Sequence, residues 1–251
     1  MKFSIIIAVM DGAKTLQATL DSIFCQAYPK WEIVVQDGGS TDGTIAILEN
    51  CDCRVNWRSE PDTGIYDAWN KALQRVTGDW VIFLGSDDRL AHKHVLARAF
   101  NYLARLPGSV DFAFGGLLLD EKKEGQYLAA NRSLLAAYYY FLHNMGFPFP
   151  ATFLRASIFR EHAFDASYVI AGDYALTSQL VTRSNVARIP VWVSIMRRGG
   201  ISDRPETAEQ SLQERVRVLR ECVAPRADEF VHAIADHVRD SDSSIEDLPE
   251  D

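Results

Sequence analysis

The stretch Asp79-Trp80-Val81-Ile82-Phe83-Leu84-Gly85-Ser86-Asp87-Asp88 carries the strongest fold signal in the chain. Five consecutive apolar residues, Trp80 to Leu84, fit a strand buried on both faces, as inside a parallel sheet. The run stops abruptly at two adjacent carboxylates. Open α/β sheets bind ligands in the crevice at the carboxyl ends of their strands, so Asp87 and Asp88 fall where chemistry is usually done. Two neighbouring carboxylates repel one another, and a cation relieves the repulsion. An exposed acidic turn with a helix N-cap accounts for the same fragment equally well when it is taken alone.

Upstream, Phe3–Val9 reads as a continuous apolar strand, and Leu16, Leu20, Ile23, Phe24 and Ala27 share one helical face. Trp31–Gln36 is the next strand and ends at Asp37-Gly38-Gly39-Ser40-Thr41-Asp42-Gly43. A short helix over Thr44–Asn50 and a strand around Arg54–Arg58 follow. Ile65, Ala68, Trp69, Ala72, Leu73 and Val76 make the cleanest helical stripe, which leads through Thr77-Gly78 into the strand with the acidic pair. The order β-α-β-α-β-α-β predicts an α/β fold: a mostly parallel twisted sheet, flanked by helices and wound by right-handed crossovers. Beyond Pro107 the pattern changes. Asp111–Leu119 and Gln126–Ala130 predict a hairpin, and Leu134–Leu142 predicts an aromatic-rich helix. Pro148 and Pro150 precede a short strand at Thr152–Leu154. A helix over Tyr174–Val181, a closing strand over Val186–Ile195 and a charged helix over Glu206–Glu221 complete the pattern.

The 251 residues suffice for one large α/β domain with a small appendage, and 47% hydrophobic with 24% charged residues is ordinary for a globular chain. Of the formal net charge of −8, the segment from Asp236 to Asp251 carries −6, which leaves the body nearly neutral. That body shows no phosphate-backbone footprint, so nucleic acid is not an expected partner. The division expected is 1–205 as the main domain, 206–239 as a helical appendage and 240–251 as an acidic, disordered tail. The four cysteines form no disulfide or zinc pattern and read as free thiols of a reducing compartment. The opening apolar run is short, lacks a small-residue cleavage site and meets Asp11 at once, so it is read as a strand rather than a signal peptide. No apolar stretch approaches the length of a bilayer span, and a cytoplasmic protein is expected.

Three strand ends carry polar clusters: Asp11-Gly12, Asp37 to Asp42, and Ser86-Asp87-Asp88. In a parallel sheet all three converge on one edge. The chain has no Gly-x-Gly-x-x-Gly after the first strand, no Gly-Lys-Ser/Thr and no Gly-x-Ser-x-Gly, which disfavours dinucleotide, P-loop and α/β-hydrolase chemistry. Carboxylates gathered without Cys or clustered His suit a hard divalent cation that bridges phosphates.

Five blocks, in order, carry a resemblance. They are Ser4 to Val9, Val34 to Thr44, Ser59-Glu60-Pro61-Asp62-Thr63-Gly64-Ile65-Tyr66-Asp67-Ala68-Trp69-Asn70-Lys71, Gly78 to Asp88, and Ala171-Gly172-Asp173-Tyr174. Over residues 3 to 203 the chain resembles family 2 glycosyltransferases of the GT-A fold, of the type that builds bacterial surface polysaccharides. The resemblance implies transfer of a sugar, with inversion, from a nucleoside-diphosphate-sugar, UDP- by expectation, to a saccharide or lipid-linked saccharide. It implies Mn²⁺ or Mg²⁺ held by Asp87 and Asp88, the direct ligand among the two being left open. It places Ala8, Asp37, Asp62, Gly64, Asp67 and Asp87 along the nucleotide-sugar, with Asp37 on the base. Asp173 corresponds to the catalytic base, which takes the acceptor hydroxyl's proton as that oxygen attacks the anomeric carbon. Gly199-Gly200-Ile201-Ser202 matches a loop over the diphosphate, with Arg197 and Arg198 just before it.

The chain also departs from the family pattern. Gly85 stands where the fuller acidic motif has its first acid, and Phe149-Pro150 stands where His-Gln is common, which predicts a more apolar acceptor side. No histidine is assignable as a late metal ligand. A non-catalytic partner module of this fold is the competing reading, and a sugar-nucleotide pyrophosphorylase ranks below it, because Val9-Met10-Asp11-Gly12-Ala13 lacks the basic glycine-rich loop that class needs. A peripheral place at the inner face of a membrane and a homo-oligomer both stay open, with Leu212, Val216 and Leu219 as the apolar positions that would dock on something.

Overall fold

A computed structural model of the chain describes residues 1–120, 127–130, 137, 146–182, 185–201 and 204–241. The first half alternates as its periodicity dictates: β1 (Phe3–Val9), α1 (Leu16–Phe24), β2 (Trp31–Asp37), α2 (Thr44–Glu49), β3 (Val55–Ser59), α3 (Ile65–Leu73) and β4 (Trp80–Phe83). Strands β3, β2, β1 and β4 lie side by side and all run parallel. Val9 stands opposite Asp37, and Phe83 opposite Ile6. The carboxyl ends of these strands therefore share one edge, from which the Asp11, Asp37 and Asp87–Asp88 loops all leave.

These strands read as unbroken apolar runs because both faces of the sheet are covered. Alternation sends Ile6, Val34, Val81 and Phe83 to one face, against Tyr66 and Trp69 of α3. Ile5, Ile7, Ile33, Val35, Trp80 and Ile82 go to the other, against Leu16, Leu20 and Ile23 of α1. That second face is also covered by α4 (Val95–Leu103), a helix passed over in the sequence although Val95, Leu96, Ala99 and Leu103 repeat at helical spacing and are buried.

The second half turns the sheet mixed. The remaining strands are β5 (Arg89–Leu90), β6 (Val110–Asp120), β7 (Tyr127–Ala130), β8 (Thr152–Arg155) and β9 (Asn185–Arg197). Beyond β4 the order is β8-β6-β9-β5; β8 is antiparallel to both its neighbours, β6 and β9 are parallel, and β7 pairs back on β6 as the expected hairpin. The parallel expectation thus holds throughout the first four strands and again between β6 and β9, while the other pairings are antiparallel. Strand β5, two residues long, is too short to leave a period in the sequence; it follows Asp88 directly and pairs Arg89 with Ile195 of β9. The helix expected over Leu134–Leu142 falls, apart from Ala137, outside the described residues.

Helix α5 (Gly172–Leu180) precedes β9, and α6 (Ala208–Val218) and α7 (Ala227–Ser241) close the chain. Between α6 and α7 the helix widens into a π turn over Leu219–Val223 and tightens to a 3₁₀ turn at Ala224–Arg226, where Pro225 has no N–H to give. Val218, Val223 and Phe230 enter the same buried cluster as Tyr66 and Trp69. The face of α6 turned to the body is Ser211, Glu214 and Val218, whereas Leu212 is 60% and Val216 42% exposed. Of the segment expected to be a tail, Asp240 and Ser241 belong to α7, and 242–251 lies outside the described residues. Among the described residues no helix is long and apolar enough to cross a membrane, and the four cysteines are free.

An aromatic cluster fills the space between α3 and the sheet. Trp69 packs on Phe83 at 4.9 Å, Phe164 at 5.1 Å, Tyr66 at 5.5 Å and Phe149 at 5.6 Å between ring centroids. Phe149 is only 3% exposed and also stacks on Phe83. The expectation that Phe149 marks an apolar acceptor side is corrected here: its ring is spent on core packing. Trp69→Ala removes the hub of this cluster and is expected to cost about 3–5 kcal/mol, read from urea unfolding followed by far-UV circular dichroism.

Candidate active site

The loops at the shared edge are bolted to one another by short polar side chains. Asp11, the non-glycine residue with positive φ (52°) among those described, accepts a hydrogen bond from Thr41 N–H at 2.8 Å and donates its own N–H to Ser40 Oγ at 2.7 Å. Gly12 N–H donates to Thr44 Oγ1 at 2.9 Å, and Ala13 N–H to Asp42 Oδ2 at 2.9 Å. The loop after β1 is thereby fixed to the loop after β2. Thr19 Oγ1 donates to the Ser86 carbonyl at 2.9 Å, which ties α1 to the acidic loop after β4.

Asp37 is 0% exposed. Its Oδ2 accepts from Gly39 N–H and Ser40 N–H, both at 2.9 Å, and from Ser59 Oγ at 2.6 Å; its Oδ1 accepts from Ser40 Oγ. Burial works against its charge, but the hydrogen bonds from Ser40, Ser59 and Gly39 prevail and hold the carboxyl below its usual range. Ser59 lies opposite Asp37 in the β2–β3 register, so this interaction joins the loops after both strands. Neither Ser59 nor Ser40 was singled out from the sequence; a serine beside an acid carries no pattern of its own.

The segment expected along the donor follows β3. Asp62 Oδ1 accepts from Gly64 N–H at 3.0 Å, and a Cβ placed on Gly38 would stand 2.7 Å from Asp62 Oδ2. Burial, with the nearby charges of Asp67 and Asp37, outweighs Lys71 and pushes the Asp62 carboxyl up. Asp67 behaves differently. It accepts from Thr63 N–H at 3.0 Å and pairs with Lys71 at 3.1 Å, one turn along α3, and these contacts lower its proton affinity. As a first-turn acid it also meets the positive end of the helix. Gly64 sits at φ 135°, a conformation that side chains avoid. Ala8 lies one residue before the end of β1, opposite Gln36, and packs partly buried against the core.

The acidic pair is shaped by Gly85. A Cβ there would stand 2.8 Å from Asp88 Oδ2 and 3.0 Å from Asp87 Oδ1, so the two carboxylates fold back over Gly85 and would have to shift to admit a side chain. Asp88 is 5% exposed; its Oδ1 accepts from Arg197 N–H at 2.9 Å and its Oδ2 from Gly85 N–H at 3.2 Å. Burial, reinforced by the charge of Asp87, pushes its carboxyl up to about 7. Strand β5 makes the Arg197 contact possible by pairing with β9 immediately after the loop. Asp87 makes no hydrogen bond or ion pair with the described residues. No group of three or more Cys, His, Asp or Glu able to hold a metal exists among the described residues.

Asp173 opens α5. Its Oδ1 accepts from Tyr174 N–H at 2.8 Å and lies 3.3 Å from the Tyr66 hydroxyl, which donates to the Ile170 carbonyl at 2.6 Å. Burial pushes the Asp173 carboxyl up to about 6, against the hydrogen bonds of Tyr174 and Tyr66 and with help from the charge of Glu214. Gly172 lies flat against the Tyr66 ring, where a Cβ would come within 2.7 Å of a ring carbon. Tyr66 thus links helix α3 to the Asp173 turn, two places far apart in sequence. Gly199, at φ 99°, follows Arg197 and Arg198 at the end of β9, and Ser202 lies outside the described residues.

Asp37→Ala would leave two hydroxyls and two partly buried N–H groups without their acceptor, at an expected cost of about 1–3 kcal/mol at pH 7. The sign with pH follows from the lowered proton affinity of Asp37 in the fold. Its stabilisation is present above the unfolded value of about 4 and is lost as pH falls through the lower folded value. Urea unfolding at several pH values should show the wild type losing this increment in acid and the variant lacking it throughout.

Comparison with known proteins agrees with this architecture. The family described as "Glycosyl transferase family 2" matches residues 4–162. A PGL/p-HBAD biosynthesis glycosyltransferase of Mycobacterium bovis is 38% identical over 121 residues, 47% of each chain. The putative teichuronic acid biosynthesis glycosyltransferase TuaG of Bacillus subtilis is 34% identical over 120 residues, 46% of each. The chain spans about half the length of the curated relatives it matches. Among solved structures, S. aureus TarS residues 1–349 with UDP superposes with a TM-score of 0.68 at 19% identity, over 98% of this chain and 73% of that one. A mannosyltransferase of Pyrobaculum calidifontis with GDP-Man and Mn²⁺ gives 0.67 at 19%, over 99% and 76%. At such identities the likeness is one of fold, and that fold is GT-A. The family match runs from the first strand through the acidic loop to the turn beyond β8, well over half of the chain, and the chain belongs to glycosyl transferase family 2.

Proposed function

We propose that this chain transfers a sugar, with inversion, from a nucleoside-diphosphate-sugar to a saccharide or lipid-linked saccharide of a bacterial surface polymer. The observation that carries this is the acidic pair. Asp87 Oδ1 and Asp88 Oδ2 both lie within 3.0 Å of the point where a Gly85 Cβ would stand, and Asp87 has no hydrogen-bond or ion-pair partner among the described residues. Two carboxylates, with no third Cys, His, Asp or Glu grouped with them among the described residues, fit Mg²⁺ or Mn²⁺, which bind through one or two carboxylates and complete their shell with water and substrate phosphates. Asp87 and Asp88 would hold the ion, and when bound it would neutralise charge on the departing diphosphate.

The remaining roles belong to the chain's own residues. The loops around Ala8, Asp37, Asp62 and Gly64 form the wall for the nucleotide, with Asp37 keeping that wall in shape from below. Asp67 anchors the start of α3. Asp173, poised near neutrality by burial, takes the proton of the acceptor hydroxyl while that oxygen bonds to the anomeric carbon and the carbon–diphosphate oxygen bond breaks. The TarS structures carry UDP or UDP-GlcNAc and the mannosyltransferase GDP-Man; of these, a uridine diphosphate donor is proposed for this chain. The names of the relatives, from PGL/p-HBAD and teichuronic acid biosynthesis, support a cell-surface glycoconjugate as the product. A cytoplasmic site of action, close to the membrane that would hold a lipid-linked acceptor, belongs to the same proposal.

Two experiments test it. In a thermal-shift panel of nucleoside diphosphates and nucleotide-sugars, one base should stabilise the wild type by about 2–4 kcal/mol when Mn²⁺ or Mg²⁺ is present. Asp88→Ala and Gly85→Ala should lose that shift while remaining folded. No shift from any nucleotide would favour a non-catalytic module instead. For Asp173, turnover should rise with pH through about 6 and level off above it, because the base must be unprotonated. Asp173→Asn should lower kcat by about 10²–10⁴ while nucleotide binding persists.

A further inference from the structure

We infer that Glu214, on the C-terminal helix α6, is a positioning residue that holds the Asp173 turn in its working orientation; the inference rests on the proposed role of Asp173 as the base. Glu214 is 9% exposed and faces the body of the protein beside Ser211 and Val218. Its Oε2 accepts from Ile170 N–H at 2.8 Å and Ala171 N–H at 2.9 Å, and its Oε1 accepts from Val169 N–H at 3.0 Å and Gln210 Nε2 at 3.2 Å. Three successive backbone N–H groups therefore converge on one carboxylate, as they do around bound anions. Among the described residues Glu214 has no cationic partner. A buried charge without a counter-ion is costly unless such donors compensate it.

The segment held this way leads directly into Asp173. Glu214 accepts the N–H groups of residues 169–171, while the Tyr66 hydroxyl donates to the Ile170 carbonyl at 2.6 Å. Gly172 then fits flat on the Tyr66 ring. One turn further along α6, Arg217 lies 4.2 Å over the ring of Tyr168 and pairs with Asp165 at 3.3 Å. Helix α6 thus grips the approach to α5 at both ends, through backbone N–H groups at Glu214 and through side chains at Arg217. The groups that face the Asp173 carboxyl are Tyr66 from α3, the Tyr174 N–H of α5 and Glu214 from α6. Loss of the Glu214 charge, or relaxation of the segment towards water, would shift Asp173 in the same direction, to a lower pKa.

The full-length chain would be compared as wild type, Glu214→Gln, Glu214→Ala and Asp173→Asn. The carboxyl ¹³C shift of Asp173, assigned by its loss in Asp173→Asn, is titrated without any sugar donor. Release of nucleoside diphosphate from UDP-GlcNAc, UDP-glucose and GDP-mannose is followed with Mn²⁺ present. The inference expects the Asp173 midpoint to fall from about 6 towards the ordinary carboxylate range in Glu214→Gln. It also expects kcat to fall by about 10–100-fold, as for a reacting group displaced by an ångström or so, with donor KM changed less than about two-fold. Glu214→Ala should do the same and raise amide exchange at 169–171. If it does not fold, the near-isosteric Gln variant decides alone. An unchanged midpoint and kcat in Glu214→Gln, with only a lower melting temperature, would reduce Glu214 to a structural residue. Full turnover by Asp173→Asn would instead remove the base assignment, and the inference with it, a result separate from any seen at Glu214.

Discussion

Asp37 holds a carboxylate at the end of β2 with no solvent contact, and everything around the candidate site is arranged to keep that charge tolerable. Four hydrogen bonds reach it, from Ser40, Gly39 and Ser59. A buried ionised group is retained only where donors replace the water it has lost. The donors come from two loops, so satisfying one charge fixes the loops after β2 and β3 together. The Ser40 hydroxyl that donates to Asp37 also accepts the N–H of Asp11, which carries the constraint across to the loop after β1. The loops at the carboxyl edge of the sheet are thus tied together by an internal electrostatic requirement.

Two further acids, the buried Asp88 and the half-buried Asp173, are treated in the opposite way. Asp88 and Asp173 are surrounded by too few donors to offset burial, and their carboxyls rise to about 7 and about 6. An acid that is buried and incompletely satisfied is unstable as an anion until something binds it or a proton reaches it, which is the property a metal ligand or a general base needs. Asp37 and Asp67 have lowered proton affinities because the hydrogen bonds they accept outweigh burial. The contrast divides five superficially equivalent aspartates by proton affinity, with Asp62 on the raised side beside the Asp37 loop.

Much of this was legible in the chain itself. The apolar runs of β1, β2 and β4 are continuous because the sheet is covered on both faces, and that continuity identifies a parallel α/β arrangement without any tertiary information. Convergence of the three polar strand ends follows from the same parallel pairing. What escaped the sequence has physical reasons. Strand β5 is two residues long and exists only because β9 is there to pair with it. Strands β6, β8 and β9 pair across long separations that no local period records. Helix α4 did leave a period, at Val95, Leu96, Ala99 and Leu103, and was passed over. Glu214 looks like one more acid on a charged helix; its burial depends on a segment forty-odd residues earlier, a relationship visible only in three dimensions.

Both departures from the family pattern have a packing context. At Gly85, the carboxylates of Asp87 and Asp88 fold back over the backbone into the space a side chain would enter. At Phe149, a ring joins Trp69, Phe83 and Phe164 in the cluster beneath α3. That same cluster supports Tyr66, whose hydroxyl steers the Asp173 turn. An aromatic residue placed in the core at 149 therefore acts on the site indirectly, by stiffening the helix from which Tyr66 reaches across. Stiffness there matters because α3 stands between the Asp62–Gly64 loop at its amino end and Asp173, which its Tyr66 contacts. Any tilt of that helix would displace both together.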